Sequence, residues 1–252
     1  IHQDEIGQMW FGTRDGLNKY DGNRFTVFRN NPKDTTSISN NDILSIQKDK
    51  TGNLWIGTYN GLNCYNPVKN TFKQYFHANN DQSLCNNTVW DIKEIKNEIW
   101  IGTSSGLSIY NKTTKKFISL FHSSSNRFSL PNNFVLSILE TKSGVILIGT
   151  AKGLCKLISR KNGEFLFQQI DHQENGDGLF VQNIKEDATG NLWIGTKTNG
   201  IYKYETASKK LISLLENGMQ NGIDVDVRAI DIDHKGALWI GTYNGISVIQ
   251  SN

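Results

Sequence analysis

Apolar and polar residues alternate along much of the chain with the period of two that is typical of β-strands. The segment from Asp42 to Asp49, "DILSIQKD", shows this alternation, the short turn "KTG" follows it, and "NLWIGT" is then a nearly continuous apolar run. No stretch of useful length has the 3.6-residue period of an amphipathic helix. The pattern therefore predicts an all-β chain.

The same local pattern returns six times at a nearly constant interval. Its centre is a Gly-Thr pair, spaced at 45, 45, 47, 46 and 46 residues, at Gly12-Thr13, Gly57-Thr58, Gly102-Thr103, Gly149-Thr150, Gly195-Thr196 and Gly241-Thr242. The residue two places before the Gly is Trp in five copies and Leu in one: Trp10, Trp55, Trp100, Leu147, Trp193 and Trp239. A second glycine follows in each copy, at Gly16, Gly61, Gly106, Gly153, Gly200 and Gly245.

Each copy contains four strand-like segments, which in the second copy are "DILSIQKD", "NLWIGT", "LNCY" and "TFKQYF". A four-stranded repeat of this length is typical of a β-propeller blade, whereas helical solenoids repeat pairs of helices. We therefore expect residues 1–252 to form a single β-propeller of six blades, with repeat cores near 4–22, 49–66, 94–111, 141–158, 187–204 and 233–250.

The first and last blades are expected to be incomplete. Ile1 aligns with the end of a first strand, and Asn252 comes just after a third strand. The chain is therefore interpreted as a fragment of a longer propeller. Six blades could close into a ring, or they could leave an open arc where a seventh belongs.

The conserved spacing of the tryptophans favours packing over ligand binding. Blades stack face to face, so Trp and the Ile that follows it should point into opposite inter-blade layers. The motif Gly should leave room for a neighbouring backbone or indole ring, and the second Gly should supply the positive φ of the turn between the second and third strands. A sugar-stacking role for the tryptophans is the weaker alternative.

Charge and composition exclude several classes of partner. The chain has 27 basic and 24 acidic residues, a net charge of +3, dispersed rather than gathered into the basic patches that bind nucleic acid or anionic membranes. No apolar run approaches the roughly 18 residues of a membrane span, so direct membrane insertion is not expected. Three cysteines without metal-ligand spacing are expected to be free thiols, two of them in strands, namely Cys64, Cys85 and Cys155.

No pattern predicts a catalytic residue, a metal site or a cofactor. The five histidines fall at unlike phases of the repeat and lack a histidine partner at ligand spacing: His2, His77, His122, His172 and His234. There is no G-x-S-x-G elbow and no glycine-rich run placed for dinucleotide binding. Three acidic residues precede turn glycines, where we expect them to bond the local backbone: Glu5, Asp49 and Asp187.

The repeat closely resembles the two-component regulator propeller repeat, with the pattern acidic-x-x-Gly-x-Leu-Trp-Ile-Gly-Thr-x-x-Gly-Leu. The segments "DKTGNLWIGTYNGL", "DATGNLWIGTKTNGI" and "DHKGALWIGTYNGI" carry the pattern almost completely, and "DEIGQMWFGTRDGLNKYDG" also matches it. The fourth copy, "SGVILIGTAKGL", departs from it because the tryptophan is missing. The resemblance implies the periplasmic sensor region of an inner-membrane-anchored hybrid histidine kinase, in which propellers precede an immunoglobulin-like domain, a membrane helix and the kinase.

The variable turns between second and third strands are the candidate ligand contacts. They should share one face with the connections between blades, and they contain amides, aromatics and cations suited to a polar ligand. The candidates are Arg14, Tyr59, Asn60, Lys152, Lys197, Asn199, Tyr243 and Asn244. Three Asn pairs lie in the connections, where capping of turns is the simpler explanation: Asn40-Asn41, Asn86-Asn87 and Asn132-Asn133.

The sequence and the resemblance together favour a non-enzymatic sensor or scaffold that responds to an oligosaccharide. Its expected partners are that oligosaccharide, the remainder of the parent ectodomain and a second receptor copy in a homodimer. Two alternatives remain open at this point: a propeller enzyme acting on a cyclic peptide or polysaccharide through polar residues at the channel mouth, and a protein-interaction scaffold.

Overall fold

The computed structural model describes residues 1–80, 82–161, 163–170, 178–214 and 224–250. Over these ranges the regular structure consists of strands arranged in six antiparallel sheets, with no helix. The all-β prediction is confirmed. The chain divides into two compact units, Ile1–Phe121 and His122–Asn252, and each unit contains three of the sheets.

The first unit holds blades 1 to 3. Blade 1 comprises β1 (His2–Gln3), β2 (Met9–Thr13), β3 (Gly16–Tyr20) and β4 (Phe25–Phe28). Blade 2 comprises β5 (Ile43–Lys48), β6 (Leu54–Thr58), β7 (Gly61–Asn66) and β8 (Thr71–Tyr75). Blade 3 comprises β9 (Val89–Ile95), β10 (Glu98–Thr103), β11 (Gly106–Asn111) and β12 (Phe117–Leu120).

The second unit holds blades 4 to 6. Blade 4 comprises β13 (Val135–Glu140), β14 (Ile146–Thr150), β15 (Gly153–Lys161) and β16 (Glu164–Gln169). Blade 5 comprises β17 (Val181–Glu186), β18 (Leu192–Thr196), β19 (Ile201–Glu205) and β20 (Lys210–Ser213). Blade 6 comprises β21 (Val227–Ile232), β22 (Leu238–Thr242) and β23 (Gly245–Ile249).

Each sheet is a meander in which strands pair in chain order. Successive up-and-down sheets of this size are the blades of a β-propeller, and the predicted fold class is confirmed. The first strand of blade 1 has two residues, and blade 6 has three strands within the described residues, in line with the expected incomplete first and last repeats. That residues 1–252 form a single propeller domain stays a prediction.

Alternate residues of the second strand enter opposite inter-blade layers, as the sequence predicted. In blade 2, Trp55 joins a buried cluster with residues of blade 3, whereas its neighbours Leu54 and Ile56 join a cluster with residues of blade 1. Trp10 in turn packs onto blade 2, where its ring centroid lies 5.3 Å from that of Tyr65. The apolar run of the motif is therefore the wedge between neighbouring blades.

The packing prediction fails for one tryptophan of the second unit. Leu147 fills the tryptophan position of blade 4 and is buried against blade 5. Trp193 is half-buried beside a cavity of about 520 Å³ that Leu238 and Ile249 also line. Trp239, by contrast, is 45% exposed. Within the second unit, no described strand after β23 covers Trp239 as blade 2 covers Trp10 in the first unit.

The motif glycine lies against a side chain of the next blade. The expected neighbour was a backbone segment or an indole ring, so the structure differs in part from the prediction. A Cβ at Gly57 would lie 2.6 Å from Cγ1 of Val89 and 2.9 Å from its carbonyl oxygen, and a Cβ at Gly195 would lie 2.7 Å from Cγ1 of Val227. The second glycine has the predicted positive φ, for example 113° at Gly61. The two glycines thus serve inter-blade contact and turn geometry respectively.

Connections between blades cover the outer strands. The carbonyl oxygen of Thr36, in the connection from β4 to β5, accepts a hydrogen bond of 2.8 Å from the amide of Phe72 in β8. In the second unit, the carbonyl oxygen of Phe128 accepts one of 2.7 Å from Phe167 in β16. Each connection therefore satisfies part of a sheet edge that would otherwise be open to pairing.

Candidate functional site

The turns between second and third strands share one face of each unit with the inter-blade connections, as predicted. In the first unit the amide of Tyr59 donates to the carbonyl of Asp42 at 3.0 Å, and that of Gly61 donates to Asn87 at 2.7 Å. In the second unit the amide of Lys197 donates to the carbonyl of Phe180 at 3.0 Å. We call these surfaces, with their turns 14–15, 59–60 and 104–105 or 151–152, 197–199 and 243–244, the turn faces.

The threonine of the Gly-Thr pair builds each of these turns. In blade 2, the Thr58 hydroxyl donates to the carbonyl of Gly61 at 2.8 Å and accepts from the amide of Asn60 at 3.1 Å. The bond to the glycine carbonyl recurs in all six blades, from Thr13, Thr58, Thr103, Thr150, Thr196 and Thr242. The invariant part of the repeat thus holds a turn whose other side chains are free to vary.

The first unit places three of the predicted ligand residues, Arg14, Tyr59 and Asn60, in exposed positions on its turn face. Tyr59 is 57% exposed, while its carbonyl oxygen accepts a hydrogen bond of 3.1 Å from the Thr88 hydroxyl of the next connection. Its backbone is therefore held from two sides while the phenol faces solvent.

The second unit places the other five, Lys152, Lys197, Asn199, Tyr243 and Asn244, on its own turn face, and all five are exposed. The Lys197 ammonium lies 5.0 Å from the centroid of the Phe180 ring. The Asn244 amide donates to Asp224 at 2.7 Å. Each unit thus gathers its predicted residues on one face, and their role as ligand contacts stays a prediction.

A salt-bridged arginine also reaches this face of the second unit. Arg228 pairs with Asp226 at 2.8 Å, and its guanidinium lies 5.4 Å from the Tyr243 ring. The hydrogen bond and charge of Arg228 lower the pKa of Asp226, and the Gln182 amide contributes a further hydrogen bond at 2.7 Å. The charges of Arg228 and Asp226 therefore largely neutralise each other.

The Asn pairs of the connections cap turns, which is the simpler of the two interpretations. Oδ1 of Asn86 accepts from the amide of Thr88 at 2.9 Å, and Oδ1 of Asn87 accepts from the amide of His77 at 2.6 Å. The other two pairs make the corresponding bonds, at Asn40-Asn41 and Asn132-Asn133. Their side-chain oxygens are therefore engaged with backbone.

Two exposed aromatic residues of the first turn face escaped the sequence reasoning. Phe76 and Phe121 each follow the last strand of a blade and are 40% and 50% exposed. Their rings lie against the turn glycines, where a Cβ at Gly61 or Gly106 would come within 2.9 Å or 3.0 Å of a ring carbon. Aligning the residue that follows the fourth strand of each copy would have revealed both.

A β-bulge near the start of the first strand was also missed. In blade 2 the register shifts between Ile43 and Ser45, so Leu44 is the extra residue. The extra residue of blade 3 is Trp90, whose indole Nε1 donates to the hydroxyl of Ser104 in the turn face at 2.9 Å. Bulges redirect side chains, and here one brings an indole to the turn. No sequence signal distinguishes these positions from ordinary strand residues.

The opposite end of the blades carries the acidic residues of the motif. Asp49 accepts from the Trp55 indole at 3.0 Å and from the amides of Thr51 and Asn53 at 3.0 Å and 2.9 Å. Burial alone would raise the pKa of Asp49, but the hydrogen bonds from Trp55, Thr51 and Asn53 lower it to about 2. Asp187 makes the same set of bonds, so the predicted backbone bonding is confirmed for both.

The same prediction is wrong for Glu5. Asp4, one residue earlier, occupies the motif position and accepts from the amide of Gln8 at 2.9 Å and from the Trp10 indole at 3.1 Å. Glu5, whose side chain is exposed, instead forms an ion pair with the largely buried Lys48 at 2.9 Å. The two adjacent acids could not be distinguished by the turn glycine alone.

A buried charge cluster joins blades 2 and 3 at this end. The Lys112 ammonium contacts the carboxylate of Glu94 and lies 3.5 Å from that of Asp49. The second oxygen of Glu94 accepts from the amide of Lys50 at 2.7 Å. In the second unit the amide of Lys142 likewise donates to Glu186 at 2.7 Å, at the same separation of 44 residues.

The cysteine thiols are unbridged, and two histidine imidazoles contact loop carbonyls. All three cysteines are free, with Cys64 in β7 and Cys155 in β15, as predicted. Burial raises the pKa of Cys64 to about 11, so its thiol is a poor nucleophile at neutral pH. His77 and His122 each place Nδ1 2.7 Å from a loop carbonyl. His172 lies outside the described residues.

Neither a metal cluster nor a membrane-spanning helix is present in the described ranges. No group of three or more His, Cys, Asp and Glu side chains is arranged to hold a metal ion. No helix there is long and apolar enough to cross a bilayer.

Comparison with known proteins agrees with the repeat geometry. A family model described as "Two component regulator propeller" matches residues 37–60, 129–152 and 175–198. The first two matches run from an inter-blade connection through the first and second strands to the turn face. These three segments are repeats of the two-component regulator propeller family.

The chain is also similar to part of a much longer protein. The chain is 63% identical over 256 residues to "Histidine kinase P4" of Formosa agariphila, and the match covers 100% of this chain and 19% of that protein.

Several solved structures have a similar fold. Two are extracellular domains of B. thetaiotaomicron proteins named as hybrid two component systems. One has a TM-score of 0.78 at 26% identity, covering 100% of this chain and 31% of that chain. The other has a TM-score of 0.72 at 26% identity, covering 96% and 32%. Virginiamycin B lyase from Staphylococcus aureus, with a TM-score of 0.66 at 14% identity over 100% of this chain and 83% of that chain, shares the fold alone.

Proposed function

We propose that this chain is a non-enzymatic part of the extracytoplasmic sensor region of a hybrid histidine kinase and that it responds to an oligosaccharide. The single observation that carries the proposal is the 63% identity to a histidine kinase along the whole of this chain. The likeness to extracellular domains of two hybrid two component systems supports a periplasmic location.

The architecture of the turn faces supports a binding role. The backbone of every turn is fixed by the same threonine bond. The side chains of the turn differ among blades 1 to 5, and blade 6 repeats the Tyr-Asn of blade 2. A rigid scaffold with variable exposed positions is a common arrangement for ligand recognition. Hydroxyl-rich ligands suit the amide, phenol and ammonium groups found there.

Titration calorimetry of the chain against an oligosaccharide panel tests the ligand part of this proposal. We expect saturable heat with at least one sugar class. Silence with every class would overturn a receptor role and leave a scaffold. Adding the sugar that binds to the full-length kinase and measuring autophosphorylation tests the sensor part, and an unchanged rate at saturating sugar would contradict it.

A further inference from the structure

We propose that the turn face of the first unit binds a neutral oligosaccharide along an aromatic row formed by Tyr59, Phe76 and Phe121. This inference rests on the proposed function and names the ligand class and its place. None of the three side chains is needed to wedge blades together, because the inter-blade clusters of this unit are built from other residues.

The row is regular because it follows the repeat. Phe76 and Phe121 are 45 residues apart, each lies against the turn glycine of its blade, and those glycines, Gly61 and Gly106, are also 45 residues apart. The distance between the two rings is therefore set by the stacking of blades rather than by flexible loops. Regularly spaced rings suit a ligand that is itself a repeating polymer.

The phenylalanine rings rest against backbone, and all three rings are partly exposed to solvent. A Cβ at Gly61 would come within 2.9 Å of Phe76 and one at Gly106 within 3.0 Å of Phe121, so each ring rests on backbone. Phe76, Phe121 and Tyr59 nevertheless expose 40%, 50% and 57% of their surface. A sugar presents apolar C–H groups on the face of its ring, and such a face packs on an aromatic ring that is already fixed with little loss of side-chain entropy.

Polar residues occupy the same turns as the rings or the turns beside them. The exposed Asn60 shares a turn with Tyr59, and Ser104 and Ser105 form the turn beside Phe121. Amides and hydroxyls both donate and accept hydrogen bonds, as sugar hydroxyls require. A protein partner would instead favour a continuous apolar patch, so the presence of small polar groups beside the flat rings favours a glycan.

The charge of this surface favours a neutral sugar. In blade 1 the position of Phe76 and Phe121 is taken by Arg29, which forms two hydrogen bonds with Asp15 of the turn, at 3.1 Å and 2.7 Å. The pair cancels its own charge, and the hydrogen bonds and charge of Arg29 lower the pKa of Asp15. Two further charged residues of this face, Arg14 in the turn and Asp42 at the Tyr59 amide, carry one charge of each sign, so together they add no net positive charge for an anionic sugar.

The experiment compares matched leucine variants by calorimetry. The probes are neutral hexasaccharides of cellulose, xylan, mannan and laminarin, together with a charged hexagalacturonate. Phe76→Leu and Phe121→Leu keep apolar volume and remove the flat ring, and each should raise the Kd of the sugar that binds by about tenfold. The control is Phe25→Leu, because Phe25 is 60% exposed in the same unit but lies at the other end of its blade, and it should leave the Kd unchanged.

Each outcome separates this inference from the proposed function. Binding of a neutral sugar that both leucine variants leave unchanged would overturn the aromatic row and leave the sensor proposal standing. Binding of hexagalacturonate alone would overturn the neutral ligand class. Failure of every probe with the unaltered chain would contradict the receptor role itself. Circular dichroism confirms that each variant is folded before titration.

Discussion

The indole Nε1 of Trp55 donates a hydrogen bond of 3.0 Å to Oδ2 of Asp49, six residues earlier in the chain. The same link joins the motif acid and tryptophan of blades 1, 5 and 6, at 3.1, 3.1 and 3.0 Å. In blade 4 both partners are replaced, with Thr141 at the acid position and Leu147 at the tryptophan position. In blade 3 the Trp100 indole instead donates to Glu98, two residues earlier, at 3.3 Å. The acid–indole link six residues apart is therefore a property of blades 1, 2, 5 and 6.

Asp49 should make unfolding pH-dependent on the acid side. Its folded pKa of about 2 lies below the usual 3.8, so the stabilisation is fully present above pH 4 and is lost as pH falls from about 4 to about 2. The shift corresponds to about 2 kcal/mol. Asp49→Asn should lower the free energy of unfolding at pH 7 and weaken its dependence on pH between about 4 and about 2. Urea denaturation at several pH values measures both effects. If the free energy of unfolding fell equally with pH in the original protein and in Asp49→Asn, Asp49 would not be the group responsible.

Two tryptophans in the same motif position should differ in importance. Trp55 is buried between blades 2 and 3, and Trp55→Ala should cost about 3–5 kcal/mol of unfolding free energy. Trp239 is 45% exposed, and Trp239→Ala should cost about 1 kcal/mol or less. Equal losses in chemical denaturation would show that the cost arises within the blade rather than from burial against the next one.

The motif glycines offer a second matched pair. Gly57→Ala would bring a methyl group within 2.3 Å of the Ser45 hydroxyl and 2.6 Å of Val89, and should cost about 1–3 kcal/mol. Gly241 meets its nearest neighbour, Ala229, at 3.5 Å, so Gly241→Ala should be neutral or stabilise by about 0.5 kcal/mol. Thermal melts of both variants check the difference, and a neutral Gly57→Ala would refute the close approach between blades 2 and 3.

The buried cluster around Lys112 should be sensitive to the loss of its single cation. Lys112→Met leaves the carboxylates of Glu94 and Asp49 facing each other, and should cost about 3 kcal/mol. The comparison is Lys185→Met, which removes the exposed pair with Asp231 and should cost less than about 1 kcal/mol. Denaturant midpoints in low and high salt measure both, and a small effect at Lys112 would overturn the view that the cluster joins blades 2 and 3.

The repeat could be predicted from sequence because its contacts are local or occur between adjacent copies. The Gly-Thr turn, the positive φ of Gly61 and the opposite directions of Trp55 and Ile56 follow from spacing and the pleat of a strand. Packing alone, however, did not predict that Trp239 is exposed, since burial depends on whether another sheet follows.

The candidate site was less predictable for a physical reason. Tyr59 and Lys197 stood out because turn residues vary between copies, but Phe76 and Trp90 reach the turn face through the end of a strand and through a bulge. A bulge changes the direction of a side chain without a distinctive residue type. Sequence similarly cannot choose between Asp4 and Glu5, because only geometry shows which carboxylate meets the Trp10 indole.

The bonds from Lys50 to Glu94 and from Lys142 to Glu186 join neighbouring copies of the repeat, and in both the donor and the acceptor are 44 residues apart. This constant separation bears on how the number of copies can change during evolution. An in-frame tandem duplication of a whole copy that carries both groups supplies a matched donor and acceptor at the new junction without further mutation. A duplication of only part of a copy changes the separation between donor and acceptor, so the bond at the junction is not reproduced. Chains of this kind can therefore lengthen by whole modules.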